Sequence, residues 1–112
     1  MIDDQMRLQH ILDAIERIES YTKSGAETFF TNSMVQDAVV RNIQIIGEAS
    51  RALSAGFKEA HPDIPWREIA ASRNMLVHEY FRVDLEIIWT DVRESLTRVK
   101  VAIQTHLEGL DR

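Results

Sequence analysis

The sequence contains no cysteine, and only four glycines and two prolines among its 112 residues. Without cysteine, a disulfide framework and thiolate chemistry are both excluded. Few helix-breaking residues, together with 45% hydrophobic and 28% charged residues, are typical of a globular, helix-rich chain. No apolar run approaches the roughly 18 residues that a membrane span needs. We therefore expect one folded domain that does not cross a membrane.

A positive charge excess is also missing, because the formal net charge is −5. This balance argues against a protein that coats nucleic acid by electrostatic attraction alone, although it leaves room for a local basic cleft. The first residues, 1–5, are acidic and lack the basic-then-apolar layout of a signal peptide. We expect a cytoplasmic protein.

Apolar residues recur at helical spacing, and no stretch alternates with a period of two. Helices are predicted over residues 3–22, 32–53, 65–81 and 84–108. Gly25, Gly56 and Gly109 are expected to end helices. A short loop over residues 26–32 is expected to place Phe29 and Phe30 between the first two helices. Residues 1–112 are therefore predicted to form a single all-α domain, an antiparallel bundle of four to five helices.

One stretch interrupts this pattern with polar chemistry: residues 73–80 read Arg-Asn-Met-Leu-Val-His-Glu-Tyr. The His78 imidazole can exchange a proton near neutral pH, and the Arg73 guanidinium can hold a phosphate with two parallel hydrogen bonds. Asn74 could orient the phosphate or the imidazole, and Tyr80 offers a hydroxyl group and a ring on which a base can stack. Together these groups could activate a ribose 2′-hydroxyl and stabilise charge on the scissile phosphate.

A structural interpretation of the same residues stays open. On a regular helix Arg73 and His78 point about 140° apart, so either the arginine wraps across or a second chain completes the site. Arg73 could pair with Glu68, and Tyr80 could be a core residue with its hydroxyl at the rim. The other three histidines, His10, His61 and His106, are scattered without zinc-like spacing, so no metal site is predicted.

The motif Arg73-x4-His78-x-Tyr80 resembles the signature of HEPN-domain toxins of the HepT type. Residues 41–49 of the second helix and residues 65–70 before the motif are similar to the family's pattern as well. These three blocks in order make the resemblance specific, and it covers nearly the whole chain.

The resemblance implies a HEPN-like homodimer whose motif-bearing helices face each other across a cleft. It implies a metal-independent endoribonuclease toxin without a cofactor, with Arg73 and His78 catalytic, Asn74 supporting and RNA as substrate. The implied partner is an MntA-type nucleotidyltransferase antitoxin, which can transfer AMP to the motif tyrosine, here Tyr80. Two alternatives remain: a non-catalytic HEPN module that binds nucleotide or docks a nucleotidyltransferase, and a helical dimerisation domain with a structural motif.

Overall fold

The computed structural model describes residues 4–67, 69 and 85–110, and within these ranges the backbone is helical without strands. The elements in chain order are α1 (Asp4–Tyr21), α2 (Ala26–Thr31), α3 (Ser33–Ala52), α4 (Ala55–Ala60), α5 (Leu85–Thr90), a π-helical segment (Asp91–Ser95) and α6 (Leu96–Leu110). The predicted all-α bundle is confirmed.

Helices α1 and α3 form the central pair, and both follow the sequence prediction closely. Asn32 begins α3 as a side-chain cap, since its Oδ1 accepts from the backbone N–H groups of Met34 and Val35. The apolar stripes of the two helices meet in the core, where burial of each large aliphatic side chain stabilises by about 1.5–3 kcal/mol. The buried residues of this pair are Leu8, Ile11, Leu12, Ala14, Ile15, Ile18, Val39, Val40, Ile43 and Ile46.

Two long-range hydrogen bonds fix the relative direction of α1 and α3. Asp4, at the start of α1, accepts from the backbone N–H of Ser54, just beyond the end of α3, at 3.0 Å. Arg17, near the end of α1, donates to Asn42 in the middle of α3 at 2.8 Å. Residue numbers therefore rise on one helix as they fall on the other, so the pair is antiparallel.

The last helical run closes the core against α1. Val99 and Ile103 of α6 are almost completely buried. At the surface, Lys100 Nζ lies 2.7 Å from Glu19 Oε1 of α1. Because an exposed ion pair contributes at most about 1 kcal/mol, apolar packing dominates this contact. The run continues to Leu110, and Gly109 lies within it, so the prediction that Gly109 ends the helix was wrong.

The predicted loop over residues 26–32 is a short helix, α2, so that prediction was wrong too. Gly25 precedes α2 with φ 96°, a conformation that suits glycine. Phe29 is fully buried, whereas Phe30 stays 37% exposed. Phe29 is therefore part of the core, whereas Phe30, which was expected to lie between the first two predicted helices as well, stays at the edge.

Gly56 does not end α3, because it lies inside a second unpredicted short helix, α4. The Ser54 side chain caps α4 by accepting from the backbone N–H of Phe57 at 3.1 Å. The Ser54 hydroxyl in turn donates to the Asp4 carboxylate. The two hydrogen bonds from Ser54, side chain first and backbone second, lower the pKa of Asp4. A contact from α1 thus supports the start of α4.

The helix that is predicted to carry the polar motif begins after Pro65. Trp66 and Arg67 are helical, and the backbone N–H of Ile69 donates to Pro65 O at 3.1 Å. The Trp66 indole donates to His61 O at 3.1 Å, and Ile69 is buried in the core. The entry into the motif segment is therefore anchored. Among the described residues, no helix combines the length and apolarity that a membrane crossing requires.

Candidate functional site

The four predicted site residues, Arg73, Asn74, His78 and Tyr80, lie outside the described residues. Their roles, and the geometry between Arg73 and His78, stay predictions. The structure describes what borders this segment: Ile69 before it and Leu85 after it. Three features of the described residues carry chemistry: a small cavity, a polar cleft and a histidine-lined groove.

The cavity lies beside Ile69, and its volume is about 50 Å³. Its walls come from α3, the residues that lead into the motif helix, the π-helical segment and the start of α6. The lining residues are Ile43, Ile46, Pro65, Ile69, Asp91, Ser95 and Leu96. The cavity is mostly apolar, with one carboxyl and one hydroxyl group at the π-helical wall.

The π-helical segment, Asp91–Ser95, is a single wide turn within the last helical run. The backbone N–H of Leu96 donates to Asp91 O, five residues back, as a π turn requires. Such turns interrupt the α-helical register and occur frequently at functional sites. Here the turn places the partly buried Asp91 beside the cavity.

Burial raises the pKa of the Asp91 carboxyl. Its carboxylate makes no hydrogen bond or ion pair with another described residue. A charged carboxylate at this position is therefore poorly compensated within the part of the chain that is described.

The raised pKa of Asp91 predicts a pH-dependent stability. The folded state holds the proton more tightly than the unfolded chain, so the Asp91 contribution to stability falls as pH rises from the unfolded pKa through the folded pKa. We expect Asp91→Asn to gain stability relative to the wild type as pH rises across this window. Urea unfolding between pH 3.5 and 7.5 measures the difference.

The control for this experiment is Glu94→Gln, which removes one negative charge from an exposed residue of the same π turn. A pH trend of the same size in both variants would trace the effect to net charge. That outcome would contradict the assignment to burial of Asp91.

A polar cleft of about 310 Å³ separates exposed parts of α1 and α3. One wall carries residues of α1 spaced three and four apart, which places them along one helix face. The lining residues are Arg7, His10, Asp13, Arg17, Ile45, Glu48 and Ala49. The spacing of these α1 residues in the sequence already indicates a common stripe.

Arg17 is held in this cleft through a buried amide. Its Nε donates to Asn42 Oδ1 at 2.8 Å, and Asn42 Nδ2 donates to Ala38 O at 2.8 Å. Asn42 is only 5% exposed. Both the oxygen and the nitrogen of the Asn42 amide are therefore hydrogen-bonded. The Arg17 guanidinium is held through its Nε, although the Arg17 residue as a whole is exposed.

The third feature is a groove of about 650 Å³ that contains two histidines. His61 and His106, which are scattered in the sequence, meet with ring centroids 5.0 Å apart. The ring centroid of Phe57 lies 4.4 Å from that of His61 and 4.9 Å from that of His106. Among the described residues, no group of three or more His, Cys, Asp or Glu side chains could hold a metal ion.

Comparison with known proteins places the chain in a family. The family model described as "Ribonuclease HepT-like" matches residues 11–106, a range that includes the predicted motif. The "Probable ribonuclease HepT" of Thermococcus cleftensis is 44% identical over 94 residues, which cover 83% of this chain and 86% of that protein. A "Putative RNase" of Caldanaerobacter subterraneus subsp. tengcongensis is 36% identical over 102 residues, which cover 90% and 91% of the two chains.

A longer relative also matches. The protein of Methanocaldococcus jannaschii named "Gamma-glutamylcyclotransferase and putative RNase" is 44% identical over 111 residues, or 98% of this chain. The chain spans only 50% of that relative's length. No solved structure matches the chain significantly. With the family match over residues 11–106 and the helical bundle described above, the chain belongs to the HepT-like ribonuclease family.

Proposed function

We propose that this chain is a metal-independent endoribonuclease whose active site contains Arg73 and His78. The observation that carries the proposal is the match to the HepT-like ribonuclease family over a range that includes both residues. The relatives named as ribonucleases support the same activity class.

In the proposed reaction, the His78 imidazole takes the proton of a ribose 2′-hydroxyl. The 2′-oxygen then forms a bond to the adjacent phosphorus, and the bond from phosphorus to the 5′-oxygen breaks. The products are a 2′,3′-cyclic phosphate and a 5′-hydroxyl end, which gains a proton. Arg73 holds the phosphate and stabilises its developing charge. Asn74 orients either the phosphate or the His78 imidazole.

The proposed active unit is a homodimer that pairs the motif-bearing helices. On one regular helix, Arg73 and His78 point about 140° apart, which a single chain does not readily reconcile with a shared phosphate. A second copy across a cleft supplies the missing partner for each residue. The dimer also gives this polar segment an interface to line.

We further propose that the enzyme is a cytoplasmic toxin and that an MntA-type nucleotidyltransferase inactivates it by modifying Tyr80. The Tyr80 hydroxyl would attack the α-phosphorus of ATP, forming a phosphodiester to AMP and releasing pyrophosphate. Residues 66–82 carry three arginines and two glutamates, so the segment has only a small positive excess. One added anionic phosphodiester would cancel that excess and fill the cleft beside Arg73 and His78.

The test is incubation of the purified protein with single-stranded RNA in excess EDTA, after mass spectrometry has confirmed an unmodified Tyr80. We expect cleavage that leaves 2′,3′-cyclic phosphate ends, and no cleavage by Arg73→Ala protein purified in parallel. Cleavage that needs an added divalent metal would contradict the metal-independent mechanism. Equal cleavage by both proteins would indicate a contaminating nuclease.

A second candidate is a HEPN module that binds a nucleotide or docks a nucleotidyltransferase without cutting RNA. The net charge of −5 favours this candidate, because the composition has no excess of basic residues with which to form a broad RNA-binding surface. In the same assay this candidate predicts intact RNA with the unmodified wild-type protein. Retained binding of ATP or of the partner would then identify the module.

A further inference from the structure

The cleft between α1 and α3 contains an arginine that is oriented by a hydrogen bond but paired with no acid among the described residues. Arg17 is exposed, and its Nε is bonded to the buried Asn42. It forms no ion pair with another described residue, although Asp13 and Glu48 line the same cleft. Within the part of the chain that is described, the terminal amino groups of the guanidinium make no hydrogen bond.

We propose that Arg17, a residue outside the Arg73/His78 motif in sequence, binds a backbone phosphate of single-stranded RNA. A guanidinium fixed through Nε presents its terminal amino groups in one plane, which suits two parallel hydrogen bonds to phosphate oxygens. Because the Asn42 amide already restricts the side chain, less rotamer freedom is lost when the phosphate binds.

The charges of the cleft favour one directed contact over general attraction. Arg7 and Arg17 face two acids, Asp13 and Glu48, so the formal charges balance. The Asp13 carboxylate accepts from Gln9 Nε2 at 2.9 Å, which partly satisfies it. Recognition therefore depends on the geometry of Arg17, and the neighbouring His10 imidazole can add a hydrogen bond to the same ligand.

The cleft and the cavity beside Ile69 share one helix, α3. Ile45 and Ala49 of α3 line the cleft, whereas Ile43 and Ile46 of the same helix line the cavity beside Ile69. The two features thus lie on different faces of α3. This inference rests on the proposed function insofar as RNA is the natural ligand.

The test measures binding of a fluorescently labelled single-stranded RNA to His78→Ala protein, so that cleavage does not interfere. We expect Arg17→Gln, added to this background, to weaken binding about tenfold, as for loss of a charged hydrogen bond. The slope of log affinity against log salt concentration should become shallower by about 0.7, corresponding to one lost phosphate contact. Arg98→Gln on α6 is the matched control, because it removes an exposed arginine that lines a different groove.

Asn42→Ala separates orientation from charge. It keeps Arg17 but removes the bond to its Nε, so we expect weaker binding with an unchanged salt slope. Thermal melting of each variant in parallel excludes loss of fold as the cause. Equal affinities and slopes for the Arg17→Gln and Arg98→Gln proteins would overturn the proposal.

An ATP arm distinguishes an RNA strand from a free nucleotide as the source of the phosphate. ATP binding that depends on Arg17, with RNA binding that does not, would overturn the assignment to RNA. The binding result is also independent of the cleavage assay. If RNA binding requires Arg17 but the wild-type protein does not cleave RNA, this site is supported and the proposed nuclease activity is rejected. If the wild-type protein cleaves RNA but RNA binding does not depend on Arg17, the nuclease activity is supported and this site is rejected.

Discussion

The His78→Ala variant is expected to cleave RNA at least about 100-fold more slowly than the wild type, because general acid–base catalysis contributes roughly 10²–10⁴-fold. Without the imidazole, nothing at this position can take the proton from the 2′-hydroxyl. Initial cleavage rates of a short labelled RNA in EDTA, at saturating protein, measure the effect. Since the loss concerns the reaction step, RNA affinity should change far less than the rate.

The matched control for His78→Ala is His106→Gln, which removes another imidazole but leaves the motif intact. His106 belongs to the ring cluster with Phe57 and His61, away from the motif sequence. We expect this control to retain the wild-type cleavage rate. A structural role for His78 makes the opposite prediction: its replacement would lower the melting temperature and leave the activity of the folded fraction intact.

Phe29→Ala is expected to lower the free energy of unfolding by about 3–5 kcal/mol, the usual cost of truncating a buried aromatic residue. Its ring is fully buried and lies 5.2 Å from both Phe30 and Trp89, measured between ring centroids. Helix α2 has only six residues and is too short to be stable in isolation, so its docking depends on this side chain. Such a loss is a large part of the roughly 5–15 kcal/mol that stabilises a typical domain.

Phe30→Ala provides the comparison, because Phe30 is the neighbouring residue but remains 37% exposed. We expect a loss of about 1 kcal/mol, in the range of ordinary point substitutions. Urea unfolding of the wild type and both variants at one protein concentration measures the difference, since dimerisation would make apparent stability depend on concentration. Similar losses for the two variants would show that Phe29 does not anchor α2.

The long helices could be predicted because their signals are local. Helix α1 was predicted over residues 3–22 and observed over Asp4–Tyr21, and its buried residues repeat at steps of three and four. The start of α3 near residue 32 was also predicted, and it is local too, since the Asn32 cap needs only the backbone N–H groups two and three residues ahead. These features depend on residues within one or two helical turns.

The short helices were missed because their stability comes from elsewhere in the chain. Gly56 suggested a helix end, yet Ser54 begins α4 there with support from Asp4, 50 residues away. Likewise, the stretch around Phe29 and Phe30 lacked a full amphipathic repeat, and α2 forms where Phe29 enters the core. Helices of six residues have little intrinsic stability, so tertiary contacts determine whether they form.

For function, the sequence alone determined the family, and it predicts the catalytic residues. The order and spacing of Arg73, His78 and Tyr80 are visible without coordinates, and the family match covers them. Periodicity likewise determined the all-α class, because an amphipathic helix shows itself as apolar residues three and four positions apart.

Only the tertiary structure brought distant residues together. It joined Arg17 to the buried Asn42 across the antiparallel pair and placed His61 against His106. It also placed Asp91 beside the cavity and partly buried its carboxyl group, and this burial raises the pKa of Asp91. These pairings depend on how helices pack, and sequence spacing carries no direct record of contacts between residues 25 to 45 positions apart.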